Sequence, residues 1–126
     1  MESVDLATLE NLVTIEGELC TDLAIDIIDV FLSEIPERHQ SMVEALAQTD
    51  YDQVKALAHK TKGTSSGIGA MRLAALYACV EEHALEGNYE FLDRLLSDLA
   101  AEIESVTFDL TNHRKTFVGT LDDDLA

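Results

Sequence analysis

One proline, Pro36, and six glycines are the strongest backbone breakers in 126 residues. A β-sandwich or barrel needs turn chemistry about every ten residues. So few breakers leave room for a small number of long helices instead. Hydrophobic residues make up 47% of the chain, enough for one domain to bury a core without disulfides or a structural metal. The expected fold is all-α: an antiparallel four-helix bundle with an extra short N-terminal helix and a long C-terminal helix. Residues 1–118 make one domain. Residues 119–126, with acids at Asp122, Asp123 and Asp124, are expected to form a frayed, solvated end.

Six helical stretches follow from spacing and punctuation. The first covers about 4–14, and Gly17 marks a joint. The second covers about 18–34, with Leu19, Leu23, Ile27, Val30 and Phe31 forming an apolar stripe. Pro36 disfavours α geometry at Ile35, so that stretch is expected to stop there. A third starts at Pro36 and runs to about Gln48, with Met42, Val43 and Leu46 inward. Asp50 to Gln53 is a capping pattern that opens a fourth, to about Ser66. Gly67 and Gly69 break the chain before a fifth, about 70–86. Gly87 is a stop signal, and Asn88 caps a last helix reaching about Phe117.

Charge excludes whole classes of partner. Twenty-five acids face eight bases, a net of −17, so phosphate backbones and anionic lipid surfaces repel the chain. Neither nucleic acid nor membrane is an expected partner. The longest apolar run, Leu73 to Val80, falls short of the roughly 18 residues of a membrane span. The first fifteen residues hold Glu2, Asp5 and Glu10 and no base, unlike a signal peptide. Two cysteines, Cys20 and Cys79, are not a disulfide framework, which points to a cytoplasmic protein with reduced thiols. There is no Gly-rich nucleotide loop, so no ATP use and no cofactor is expected.

The fourth stretch has a face that packing does not explain. At about 100° per residue, Val54, Leu57, Ala58, Thr61, Ser65 and Ile68 share one side. His59 falls opposite them, in solvent. Lys55, Lys62 and Ser66 flank it on one side, Asp52, Ala56 and Gly63 on the other. Gly63 is the odd choice, because glycine in an exposed helix costs about 1 kcal/mol against alanine. A missing side chain there admits close approach by another molecule. An exposed imidazole with an ammonium and a gap beside it describes a small nucleophilic site open to a partner. Taken singly, each residue has an ordinary reading: a solvated histidine, solubilising lysines and a glycine near a helix end.

The run Ala58-His59-Lys60-Thr61-Lys62-Gly63-Thr64-Ser65-Ser66-Gly67-Ile68-Gly69-Ala70 resembles the signature of histidine-containing phosphotransfer (HPt) domains. The resemblance is continuous over about 5–117 and sharpest over about 58–82. Upstream, Phe31, Pro36 and Leu46 also fit. Thr61 departs from it, standing where the family usually has a large apolar residue; a threonine there can return its hydroxyl to a backbone carbonyl. The resemblance implies a stand-alone relay module whose His59 accepts a phosphoryl group on Nε2 from a receiver-domain aspartyl phosphate. It then passes the group to another receiver's aspartate. Lys62 would neutralise phosphoryl charge, with Lys55 and Lys60 as weaker candidates. Glu81, where the family has Gln or Glu, would orient the imidazole through its other nitrogen. Asp52, Lys55, Ala56, Lys60, Gly63 and Ser66 would meet the partner. The implied partners are receiver domains and a sensor histidine kinase, met by a monomer.

Two other readings stay in view. A metal-binding bundle needs Glu-x-x-His pairs; the residues three before each histidine are Pro36, Ala56, Val80 and Leu110. Cys79 and His83, four apart, would be at most a half-site. An adaptor of the same fold would bind receivers without carrying phosphate.

Overall fold

The computed structural model describes residues 2–125, with side chains described through Leu121. A short helix α1 (Leu6–Leu12) leads into a hairpin of two-residue strands, β1 (Thr14–Ile15) and β2 (Glu18–Leu19). Thr14 pairs with Leu19 and Ile15 with Glu18. The turn between them holds Glu16 at φ 52° and Gly17 at φ 81°, the double positive φ that closes a two-residue hairpin. Four long helices follow: α2 (Thr21–Ala47), α3 (Tyr51–Gly67), α4 (Met71–His83) and α5 (Tyr89–Leu125). A 3₁₀ turn, Ala84–Glu86, joins the last two and ends at Gly87 in the left-handed region, φ 70°.

The second and third expected stretches are one helix. Pro36 lies inside α2, at a cost of about 3 kcal/mol relative to alanine. It sits on the exposed side, so the broken hydrogen bond lies away from the core. Buried Ile28, Phe31, Ile35, Met42, Ala45 and Leu46 continue on both sides of it. Their burial outweighs the local penalty.

The buried stripe of α2 is also rotated from the expected one. Ala24 and Ile28 fill the core, whereas Leu23 and Ile27 are half-buried and Leu19, Val30 and Val43 are exposed. Alpha 2 is apolar on two faces, and spacing alone does not say which one the bundle takes. At the other end, α5 continues through 119–125, past the expected frayed end at 119–126. Thr120 returns its hydroxyl to the Thr116 carbonyl within it, and a lone Gly119 is not enough to stop a helix already propagating. The side chains of Asp122 to Asp124, and Ala126 altogether, lie outside the described residues.

The core joins all four long helices, through Ile28, Met42, Val54, Leu73, Tyr77, Leu99 and Leu110. The segment before α1 closes one side of it. Ser3 and Val4 amides donate to Asp109 on α5, and the Asp5 amide donates to the Gly69 carbonyl. Gly69 has φ +91°, and a Cβ there would stand 2.6 Å from the Asp5 carbonyl oxygen. Glycine is required at that turn.

Candidate functional site

Alpha 3 is capped at its start by Asp50, whose carboxylate accepts from the Gln53 amide. It buries Val54, Ala58, Thr61 and Ser65 against the bundle. Thr61 is fully buried, and its hydroxyl donates to the Leu57 carbonyl at 2.7 Å. That bond removes the cost of placing a hydroxyl in the core. This register turns His59 outward: its side chain is 71% exposed. Asp52, Lys55, Ala56, Lys60 and Gly63 are exposed beside it, and Ser66 is half-buried.

The contact that builds the site comes from α4. Glu81 reaches across so that Oε1 lies 2.7 Å from His59 Nδ1 and Oε2 accepts from Lys62 Nζ at 2.6 Å. The Lys62 ammonium, then the His59 ring, hold the Glu81 carboxyl below the usual carboxylate range. An ionised carboxylate only accepts hydrogen bonds. It therefore selects the imidazole tautomer with hydrogen on Nδ1 and leaves the Nε2 lone pair facing outward. A nucleophilic nitrogen, an adjacent ammonium and a fixed ring are the elements of a phosphoryl acceptor that works by positioning and charge.

A Cβ built at Gly63 meets nothing within 4 Å. No contact inside the protein requires glycine there, and the space beside His59 is open to another molecule.

The sequence reading missed a neighbouring apolar groove. It measures about 300 Å³ and is lined by Leu12, Ile27, Val30, Phe31, Thr64 and Ile68. Glu34 borders it and pairs with Arg38, whose other guanidinium nitrogen donates to the Thr64 hydroxyl. The available signal was the surplus of apolar residues on α2, two stripes where a bundle needs one. Cys79 and His83 do not converge on a shared group: His83 lies 3.1 Å from Glu86 and packs edge-on against Phe91.

The fold and the site together are those of a helical bundle that presents one outward imidazole, tied to a carboxylate and an ammonium. The Hpt domain family matches residues 26–111, and the chain belongs to that family. It is 30% identical over 88 residues to histidine-containing phosphotransfer protein 2 of Arabidopsis thaliana, covering 68% of this chain and 56% of that protein. The chain thus spans little more than half the length of that relative. Its fold matches the crystal structure of histidine-containing phosphotransfer protein B from Pseudomonas aeruginosa with a TM-score of 0.81 and 27% identity. The match covers 90% of this chain and 96% of that one. Among the described residues, no helix is long and apolar enough to cross a membrane.

Proposed function

We propose that this chain is a phosphorelay intermediate that carries a phosphoryl group on His59 between aspartates of two receiver domains. The observation that carries the reading is the exposed ring whose Nδ1 is held by Glu81 while Nε2 stays free. Nε2 attacks the phosphorus of an aspartyl phosphate, the P–O bond breaks, and the aspartate leaves as a carboxylate. The Nδ1 hydrogen remains on the ring throughout, hydrogen-bonded to Glu81. Onward transfer is the reverse: a second aspartate attacks, the P–N bond breaks, and the ring leaves as neutral imidazole with its Nε2 lone pair restored. Lys62, within reach of both, exchanges Glu81 for the phosphoryl oxygens as charge builds.

Receiver docking is proposed on the face that joins the Gly63 gap to the Leu12–Val30 groove. Its apolar lining supplies burial, and Lys55 and Lys60 supply positive charge on a chain of net −17. Residues 1–118 suffice for transfer, and the chain works as a monomer in the cytoplasm. A sensor histidine kinase with its own receiver is the upstream partner. The free thiols of Cys20 and Cys79 accord with a reducing compartment.

The test is incubation with a ³²P-labelled receiver domain. The expected result is acid-labile, alkali-stable label on this chain, absent from His59→Gln. Label that persists in His59→Gln overturns the assignment. Stable receiver binding without label establishes the adaptor instead.

A further inference from the structure

A second surface, on the other flank of α4, has the marks of a binding site. Arg72 and Glu81 are nine residues apart, about 180° around that helix, so Arg72 faces α5 and away from His59. Opposite it on α5 stands Glu102, only 7% exposed. Its Oε2 is buried and has no hydrogen-bond partner. Its Oε1 lies 3.8 Å from Arg72 Nε, beyond hydrogen-bond reach, and the Arg72 side chain is 74% exposed. A carboxylate taken out of water needs a close, hydrogen-bonded counter-charge. Glu102 has a distant one.

Glu102 also breaks the pattern of its own helix. Leu95, Leu99, Val106 and Leu110 form the buried stripe of α5, and Glu102 sits on the edge of that stripe. An apolar residue there would extend the core. A chain that gives up packing at one position and leaves one buried carboxylate oxygen unpaired has a local conflict of the kind that marks a functional site.

Glu102 lines a cleft with Leu76, Asp98, Ala101 and Ser105. Ser105 is shared with a second cleft that ends at Phe108, and Arg72 with a third that ends at Met71. The three clefts adjoin one another at these shared residues. Phe108 is 68% exposed and Met71 52%, so apolar side chains flank the acidic centre. Asp98, Glu104 and Asp109 line these clefts as well. The complementary occupant is positively charged, and it extends past the centre to cover both apolar ends. A small amine fills only the middle.

We propose that the α4–α5 groove docks a basic segment of a partner protein, seating an arginine or lysine head on Glu102 and Asp98 between Met71 and Phe108. Arg72 swings outward as the cation enters. The proposal is independent of the role of His59.

The experiment is NMR titration of the full chain with an acetylated, amidated peptide of alternating leucine and arginine, run beside spermidine. The expected result is saturable shifts confined to residues 2–5, 69–76 and 98–109. Affinity falls at least tenfold in Glu102→Gln and rises in Arg72→Gln, which removes the internal competitor. Phosphoryl acceptance at His59 is unchanged in both variants. Shifts spread over the whole acidic surface, or equal binding by Glu102→Gln, overturn the proposal. Spermidine binding as tightly as the peptide overturns the protein segment as occupant. Loss of folding in Arg72→Gln with no gain in binding makes Arg72 the intended partner of Glu102, and that also overturns it.

Discussion

Glu81 Oε1 lies 2.7 Å from His59 Nδ1 across the α3–α4 contact, while Oε2 of the same carboxylate takes the Lys62 ammonium at 2.6 Å. One side chain from a neighbouring helix thus sets the tautomer of the imidazole and holds the cation beside it. Removing it frees both. Glu81→Ala should slow phosphoryl acceptance by about 10- to 100-fold, the scale of misplacing a reacting group by a fraction of an ångström to one ångström. Glu81→Gln keeps an acceptor for Nδ1–H and should lose less. Rapid-quench transfer from a labelled receiver, with far-UV circular dichroism as a control on folding, measures both. An unchanged rate in Glu81→Ala would rule out the positioning role.

The same carboxylate gives a pH dependence of known sign. Its folded-state pKa lies below its ordinary value of 4.5, chiefly through Lys62 and then His59. The unfolded chain therefore takes up the proton first as pH falls. The contribution of this group to stability is full above about pH 4.5 and declines as pH drops from there through the folded-state value. Urea unfolding between pH 3 and 6 should show a smaller acid-side decline in Glu81→Gln than in the parent.

His39 behaves similarly at higher pH. It lies half-buried on α2 in a cleft with Leu96 and Ala100 of α5, its Nδ1 without a partner. Burial holds the ring below its ordinary 6.5. The unfolded chain again binds the proton first, so stability should decline as pH falls below about 6.5. For one group the slope cannot exceed about 1.4 kcal/mol per pH unit. His39→Gln should flatten that segment of the profile, as read by thermal unfolding in matched buffers.

Gly63 separates folding from docking. Because a Cβ there meets no neighbour, Gly63→Ala should stabilise the fold by about 1 kcal/mol through helix propensity. Gly63→Leu should fold equally well yet cut receiver binding by at least tenfold, because its side chain fills the approach. Denaturant midpoints and calorimetric titration with a receiver domain report the two effects separately. Unimpaired binding by Gly63→Leu would show that no partner comes close at that point.

Tyr77 is fully buried, and its hydroxyl has no hydrogen-bond partner. Burial pushes its ionisation far above the ordinary value of 10. Tyr77→Phe removes an unsatisfied polar atom while keeping the ring, so stability should stay level or rise by about 1 kcal/mol. A loss above about 1 kcal/mol in urea unfolding would mean that the hydroxyl is satisfied in solution, by water or by the nearby Arg38.

Much of this molecule is legible along the chain. The dearth of breakers made it helical, and the spacing of Val54, Ala58, Thr61 and Ser65 turned His59 outward, because a 3.6-residue period has one geometric consequence. Local signals also placed Gly17, Asp50, Gly87 and Asn88 at joints and caps, since each acts on its immediate neighbours. Pro36 is where local reasoning failed. Its penalty is local, whereas the burial of Phe31, Ile35 and Met42 on either side comes chiefly from α5 and α3 and is larger. The tertiary structure alone decided which face of α2 became core and which became groove. It also brought Glu81 to His59, left Glu102 without a close partner, and carried α5 past residue 118. These are facts about which helices meet, and a linear pattern records only how each helix would present itself, not what it is presented to.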